Sequence, residues 1–217
     1  KDDTVLIIGD SLKASGRRRI ASQTPGAINV EPADLADLAE FGLEFEIGAP
    51  DAVARLVSFA GEVMTNVGAS ALQRRVVSLR QGTARKPPNS LEDAVVNFAN
   101  KPALVTAIEA LLHIKASPGV RVYRPEILRA CLAAMHVAKD GTCTFREAAE
   151  RERDRCRHLG RALAKRSVGS TLLLKGLEAD VAVLLHPEQM NAKHLYVALS
   201  RGAKRIVVCS TNPVLAP

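Results

Sequence analysis

Apolar runs without alternation stand near both ends of this chain, and a long stretch of helical periodicity lies between them. Thr4-Val-Leu-Ile-Ile8 leads into Gly9-Asp10-Ser11, while Val181-Ala-Val-Leu-Leu185 and Ile206-Val-Val-Cys209 lie near the other end. Such a run reads as a strand covered on both faces, as in a parallel sheet flanked by helices. Ala27-Ile-Asn-Val30, framed by Pro25-Gly26 and Glu31-Pro32, reads as a further short strand. Leu35, Leu38 and Ala39 then begin a helical period that fades near Gly48-Ala49-Pro50. The opening is a β-α-β-α half-unit.

From Asp51 the pattern is helical only. Val53, Leu56, Val57, Ala60, Met64 and Val67 follow one stripe; Leu91, Ala94, Val95 and Phe98 follow a second, with Ser90 as its N-cap. Leu104, Val105, Ile108, Leu111 and Leu112 mark a third helix, with Pro102 in its first turn. Ile127, Leu128, Cys131, Leu132 and Met135 mark a fourth, ended by Lys139-Asp140-Gly141. Thr144-Phe-Arg-Glu147 has the form of a capping box, opening a helix with Phe145, Ala148, Ala149, Cys156, Leu159 and Leu163 inward. The expected architecture is an α/β domain built from residues 1–50 and 167–217, interrupted by a mainly helical insertion over 51–166.

Charge is distributed unevenly over these parts. The net charge is +7, but residues 49–168 hold twenty Lys/Arg against eleven Asp/Glu, a local +9. Segregated positive charge is what a phosphate backbone attracts. Within it, Leu72–Lys86 carries Arg74, Arg75, Arg80, Arg85 and Lys86 with no acidic residue, and is the expected DNA track. Arg146–Arg166 mixes eight basic with four acidic residues and reads as a solvated helix with internal pairs.

No apolar run reaches the roughly 20 residues needed to span a bilayer, so no membrane partner is expected. The start, Lys-Asp-Asp-Thr, has no signal-peptide character. Cys131, Cys143, Cys156 and Cys209 have no metal-module spacing and read as free thiols of a reducing, cytoplasmic compartment.

Two short polar signatures adjoin the C-terminal apolar runs. Thr171-Leu-Leu-Leu-Lys-Gly-Leu-Glu178 reads as a strand ending in a Lys-Gly turn, and Tyr196-Val-Ala-Leu-Ser-Arg201 as the end of a helix capped by Asn191. With Ala192, Leu195, Tyr196 and Leu199 as the core stripe, Arg201 points away from the core in the last turn, and Gly202 permits a left-handed cap. A rigidly held, outward arginine suits recognition of a phosphate on a facing surface.

Lys175-Gly-Leu-Glu178 resembles motif V, and Tyr196-Val-Ala-Leu-Ser-Arg201 resembles motif VI, of the UvrD/Rep-type superfamily-one DNA helicases. The ordered resemblance covers about residues 168–210. It implies a RecA-like second motor domain, which in that family is interrupted by a helical accessory domain. It further implies that Arg201 reaches the γ-phosphate of ATP bound with Mg²⁺ against a first motor domain, and that Glu178 faces the nucleotide sugar. Lys175 and Gly176 would couple the nucleotide to DNA, and Thr171 would belong to the DNA-contacting part of motif V. The partners implied are single-stranded or partly duplex DNA and the N-terminal ATP-binding motor domain of the same protein.

Two positions depart from the family pattern: Leu172 stands where a His is usual, and Gly202 where an Ala is usual. The chain also has no Gly-x4-Gly-Lys-Ser/Thr phosphate loop. It therefore reads as the C-terminal part of a longer helicase, inactive toward ATP alone. An alternative is a non-catalytic, helicase-derived nucleic-acid-binding module. A remote one is a GDSL-type hydrolase, since Gly9-Asp10-Ser11-Leu and His186-Pro187 resemble blocks of that family. Val183 stands where its Asp belongs, and its Gly-x-Asn-Asp block is missing.

Overall fold

The computed structural model describes residues 3–9, 13–158 and 164–215. The chain begins with β1 (Val5–Ile8), α1 (Ala14–Gln23) and β2 (Ala27–Asn29). It continues through α2 (Ala36–Glu44), α3 (Ala52–Val63), β3 (Met64–Thr65), α4 (Ala69–Arg80), α5 (Ser90–Asn100) and α6 (Leu104–Ala116). Then come β4 (Arg121–Val122), α7 (Pro125–Ala138), α8 (Phe145–His158), β5 (Arg166–Gly169), β6 (Ala179–Leu185), α9 (Ala192–Leu199) and β7 (Gly202–Cys209).

Two compact units result: Lys1–Pro32 with Gly160–Pro217, and Ala33–Leu159. The first carries a five-stranded sheet in the order β2-β5-β1-β6-β7, every pair parallel. The fold class is thus α/β. The division falls at 32/33 and 159/160 rather than at 50/51 and 166/167. Leu35, Leu38, Phe41 and Phe45 of the α2 segment pack into the helical unit's core, which is why the boundary lies before them.

In the sheet unit, Leu6, Ile8, Ala182 and Leu184 meet Leu195 and Ala198 of α9 and Leu174 of the β5–β6 connection. The apolar centre of β1 is buried as its unalternating pattern requires. Ile206, Val207 and Val208 contradict the same expectation. β7 is an edge strand, and these residues are 38–43% exposed, so neither of its faces is fully covered. A run of β-branched residues marks a strand but does not reveal whether neighbours cover it.

The helical unit gathers all five phenylalanines into one cluster. Phe41 stacks on Phe59 and Phe45 at 4.2 and 4.8 Å, Phe45 lies 6.3 Å from Phe98, and Phe145 meets Phe41 and Phe45 edge-on at 5.7 Å. The edge-on contacts suit the ring quadrupoles, and such aromatic pairs are worth about 1 kcal/mol each beyond their buried area. Gly42 lets α2 and α8 approach closely, since a Cβ there would stand 2.9 Å from that of Ala149. Arg124, 1% exposed, is paired with Asp37 at 2.5 Å, joining the start of α7 to α2.

Several boundaries differ from the sequence pattern. Asn89, not Ser90, caps α5, exchanging hydrogen bonds with Glu92 in a capping box. Pro102 precedes α6 rather than sitting in its first turn. Met64 and Val67 lie beyond α3, because Met64 pairs with Val122 in a two-residue ladder. The Thr144–Glu147 capping box forms as read, through bonds of 2.9 and 3.2 Å. Leu159 and Leu163 lie outside the described residues. Among the described residues no helix is long and apolar enough to cross a membrane.

Candidate functional site

Motif-like residues converge at the edge of the sheet where β6 and β7 begin. β5 ends at Gly169, and the chain then turns rather than continuing extended: Leu174 N–H donates to the Ser170 carbonyl at 2.9 Å and Leu177 N–H to that of Leu174 at 3.1 Å. Thr171–Gly176 is therefore a tight turn, and the strand before it is Arg166–Gly169, one segment earlier than the leucines indicate. Leu174 is fully buried against Gly169, whose missing side chain leaves it room; a Cβ there would lie 3.0 Å from Leu174 Cγ. Leu172, at 76% exposure, faces solvent. Gly176 closes the turn at φ 80°, the left-handed region that favours glycine. Glu178 then stands immediately before β6.

α9 positions the second signature. Asn191 Oδ1 accepts from the His194 amide at 2.9 Å, and Leu195 and Ala198 face the core. Tyr196 (76% exposed), Leu199 and Ala192 do not, so the buried stripe is narrower and rotated relative to the expected one. The helix ends at Leu199 with Ser200 as its C-cap, which places Arg201 outside the helix, in the turn before β7. Gly202 is not a left-handed cap. It is the first residue of β7, at a register shift between the Ala179–Gly202 and Val181–Arg205 pairs. A Cβ at Gly202 would meet the Arg205 carbonyl oxygen at 2.5 Å and the Ala182 amide nitrogen at 3.1 Å, so close backbone approach is what requires glycine.

Pairing of Ala179 with Gly202 sets Glu178 and Arg201 at adjacent positions on one edge. Ala179 N–H donates to the Arg201 carbonyl at 3.1 Å. The guanidinium in turn donates from Nη1 to the Leu177 carbonyl (3.2 Å), from Nε to the Val197 carbonyl (3.0 Å) and from Nη2 to Ser200 Oγ (2.8 Å). It is half-buried rather than extended into solvent. Lys175 and Glu178 are exposed, and their side chains make no hydrogen bond or ion pair among the described residues. Both Glu178 and Arg201 lie where strands start, opposite to the carboxyl-end crevice at which open α/β sheets usually hold a ligand.

A second polar group braces the same edge. Asp180 accepts from the amide and hydroxyl of Thr4 at 2.8 and 2.9 Å and from Lys204 at 2.8 Å, and Lys204 also reaches Asp3 at 2.9 Å. Thr4 Oγ1 accepts from the Asp180 amide in return. These bonds link the starts of β1, β6 and β7. Lys204 first, then the Thr4 donors, hold the Asp180 carboxyl well below the usual carboxylate range. No local sequence pattern signals this group, because Thr4 and Asp180 are 176 positions apart.

The remaining DNA candidates divide. Arg74, Arg80, Arg85 and Lys86 are exposed, and their side chains have no partner among the described residues. Arg75 is engaged: it pairs with Glu92 at 3.2 Å and donates to the carbonyls of Lys86 and Pro87 at 2.7 and 3.1 Å. The acid-free stretch is therefore neutralised in part by α5, folded against it. Thr171 is 2% exposed and offers no surface to a strand of nucleic acid. Residues of α8 form the pairs expected of a solvated helix, Arg146 with Glu150 and Arg155 with Glu152 among them.

All four cysteines are free, burial pushes the Cys131 thiol up, and no three potential ligand side chains cluster among the described residues. Ser11 lies outside the described residues; His186 approaches Glu188 at 3.5 Å. Comparison with protein-family models, with curated proteins and with solved structures finds no match to this chain.

Proposed function

We propose that this chain is the second motor half of an ATP-dependent DNA helicase or translocase of the UvrD/Rep type. The observation that carries this reading is the Ala179–Gly202 pair, which brings the Lys175–Glu178 turn and Arg201 to one edge. Two signatures separated in sequence and brought to one edge could face the same ligand. Arg201 keeps N–H groups available for a phosphate oxygen, and Glu178, without a partner among the described residues, is a carboxylate suited to sugar hydroxyls. The start-of-strand location fits residues that complete a site held mainly by a facing domain.

That facing domain has to supply the phosphate loop and the carboxylates for Mg²⁺, because this chain has neither sequence. ATP supplies the phosphoryl group; Arg201 stabilises the charge that develops on it, and Lys175 relays the state of the turn toward DNA. Arg74, Arg80, Arg85 and Lys86 supply sequence-independent attraction to the DNA backbone. A second reading, a non-catalytic nucleic-acid-binding module, is favoured by those four cations, unpaired among the described residues, and by the partial engagement of Arg201 with its own chain.

DNA-stimulated ATP hydrolysis separates the two. The motor reading expects turnover where this chain faces a phosphate-loop domain, and none from the 217 residues alone. Salt-dependent DNA binding, with no effect of this chain on any ATPase, would support the binding module.

A further inference from the structure

The guanidinium of Arg201 is not simply displayed: each of its three nitrogens has one bond to the chain itself. Nε is held by the Val197 carbonyl of the last helical turn, Nη1 by the Leu177 carbonyl of the Lys175–Glu178 turn, and Nη2 by Ser200 Oγ. Ser200 is fixed in its turn, since its hydroxyl donates to the Val197 carbonyl at 2.9 Å. An arginine carries five N–H donors in one rigid plane, so these bonds leave one N–H on each terminal nitrogen. A plane pinned at three points has no rotational freedom about Cζ, and its two remaining donors have a fixed direction.

We propose that Ser200 is a positioning residue for Arg201, and that the Leu177 carbonyl ties the guanidinium's orientation to the Lys175–Glu178 turn. The inference rests on the reading of Arg201 as a phosphate-directed arginine. Ser200 contributes no donor to the ligand. Its oxygen accepts from Nη2 and so decides which way the free N–H groups aim. Leu177 lies between Lys175 and Glu178 and the start of β6, so a shift of that turn moves the carbonyl that holds Nη1. Orientation of an electrostatic stabiliser acts on the transition state more than on substrate binding.

Two measurements test this. In the isolated, ¹⁵N-labelled chain, the Arg201 Nη2–H signals, assigned by their loss in Arg201→Lys, should exchange slowly with water. Ser200→Ala should speed that exchange at least several-fold, and Ser200→Thr, which keeps the hydroxyl, should restore it. Ser200 is exposed, so both variants should keep the wild-type circular dichroism.

In the ATP-hydrolysing assembly, Ser200→Ala should lower kcat about fivefold with KM for ATP unchanged, as expected for one lost hydrogen bond, and Ser200→Thr should recover it. Fast exchange in wild type, or identical exchange in wild type and Ser200→Ala, overturns the positioning role even if Arg201→Ala abolishes turnover. Protected exchange that Ser200→Ala removes, together with unchanged turnover in Arg201→Ala, instead sinks the phosphate reading, and with it the purpose assigned to Ser200.

Discussion

The amide of Ala179 donates to the carbonyl of Arg201 at 3.1 Å, at the point where β6 and β7 begin to pair. Each partner directly adjoins a motif-like residue, Glu178 on one side and the Arg201 side chain on the other. Register, rather than sequence spacing, thus decides that the two signatures share an edge. A slip of one residue would send neighbouring side chains to opposite faces of the sheet.

Gly202 guards that register. Gly202→Ala should destabilise the sheet unit by about 1–3 kcal/mol, because its Cβ would meet backbone atoms that have no rotamer to move. Urea denaturation checks this. An unchanged midpoint would mean that the strands separate at no cost and that the close approach is not required.

Arg75 and its four basic neighbours should behave differently. Neutralising Arg74, Arg80, Arg85 and Lys86 together should flatten the salt dependence of single-strand binding, each lost phosphate contact lowering the slope by about 1. Arg75→Ala should leave the slope nearly unchanged and instead cost about 1 kcal/mol of stability, through its partly exposed pair with Glu92. Salt titration of a labelled oligonucleotide, beside thermal melts, distinguishes them. Equal slopes for wild type and the fourfold variant would move the DNA track elsewhere.

Acid should loosen the starts of β1, β6 and β7. The folded-state pKa of Asp180 is depressed by Lys204 and Thr4, so its stabilisation is fully present above the ordinary carboxylate value near 4 and is lost as pH falls below it. Asp180→Asn should therefore lower Tm at pH 7 and make Tm less sensitive to pH below about 4. Parallel acid limbs for wild type and variant would show that Asp180 does not carry this linkage.

Local chemistry was legible in the sequence where one segment contains its own cause. The Thr144–Glu147 capping box, the Asn191 cap and the apolar centres of β1 and β6 are of this kind. What is not legible locally depends on partners remote in the chain. β5 has only four residues, Arg-Ser-Val-Gly, and is a strand because β1 and β2 pair with it on either side. α4 has its apolar stripe diluted by arginines, and its buried Leu72 and Val76 count only beside the other helices. At the candidate site, Arg201 and Glu178 stand out in the sequence only as motif-like residues. Their adjacency, the engagement of Arg75 by Glu92 and the Thr4–Asp180 brace are not legible there, since each is a contact between distant segments.

Steady-state ATP hydrolysis by the assembly in which this chain faces a phosphate-loop domain tests the central claim, comparing wild type with Arg201→Ala. Loss of an arginine that stabilises charge in the transition state predicts kcat lowered by about 10²-fold or more, with nucleotide affinity changed far less. Wild-type kcat in a folded Arg201→Ala variant would contradict the account and leave the residue as a structural link between α9 and the Lys175–Glu178 turn.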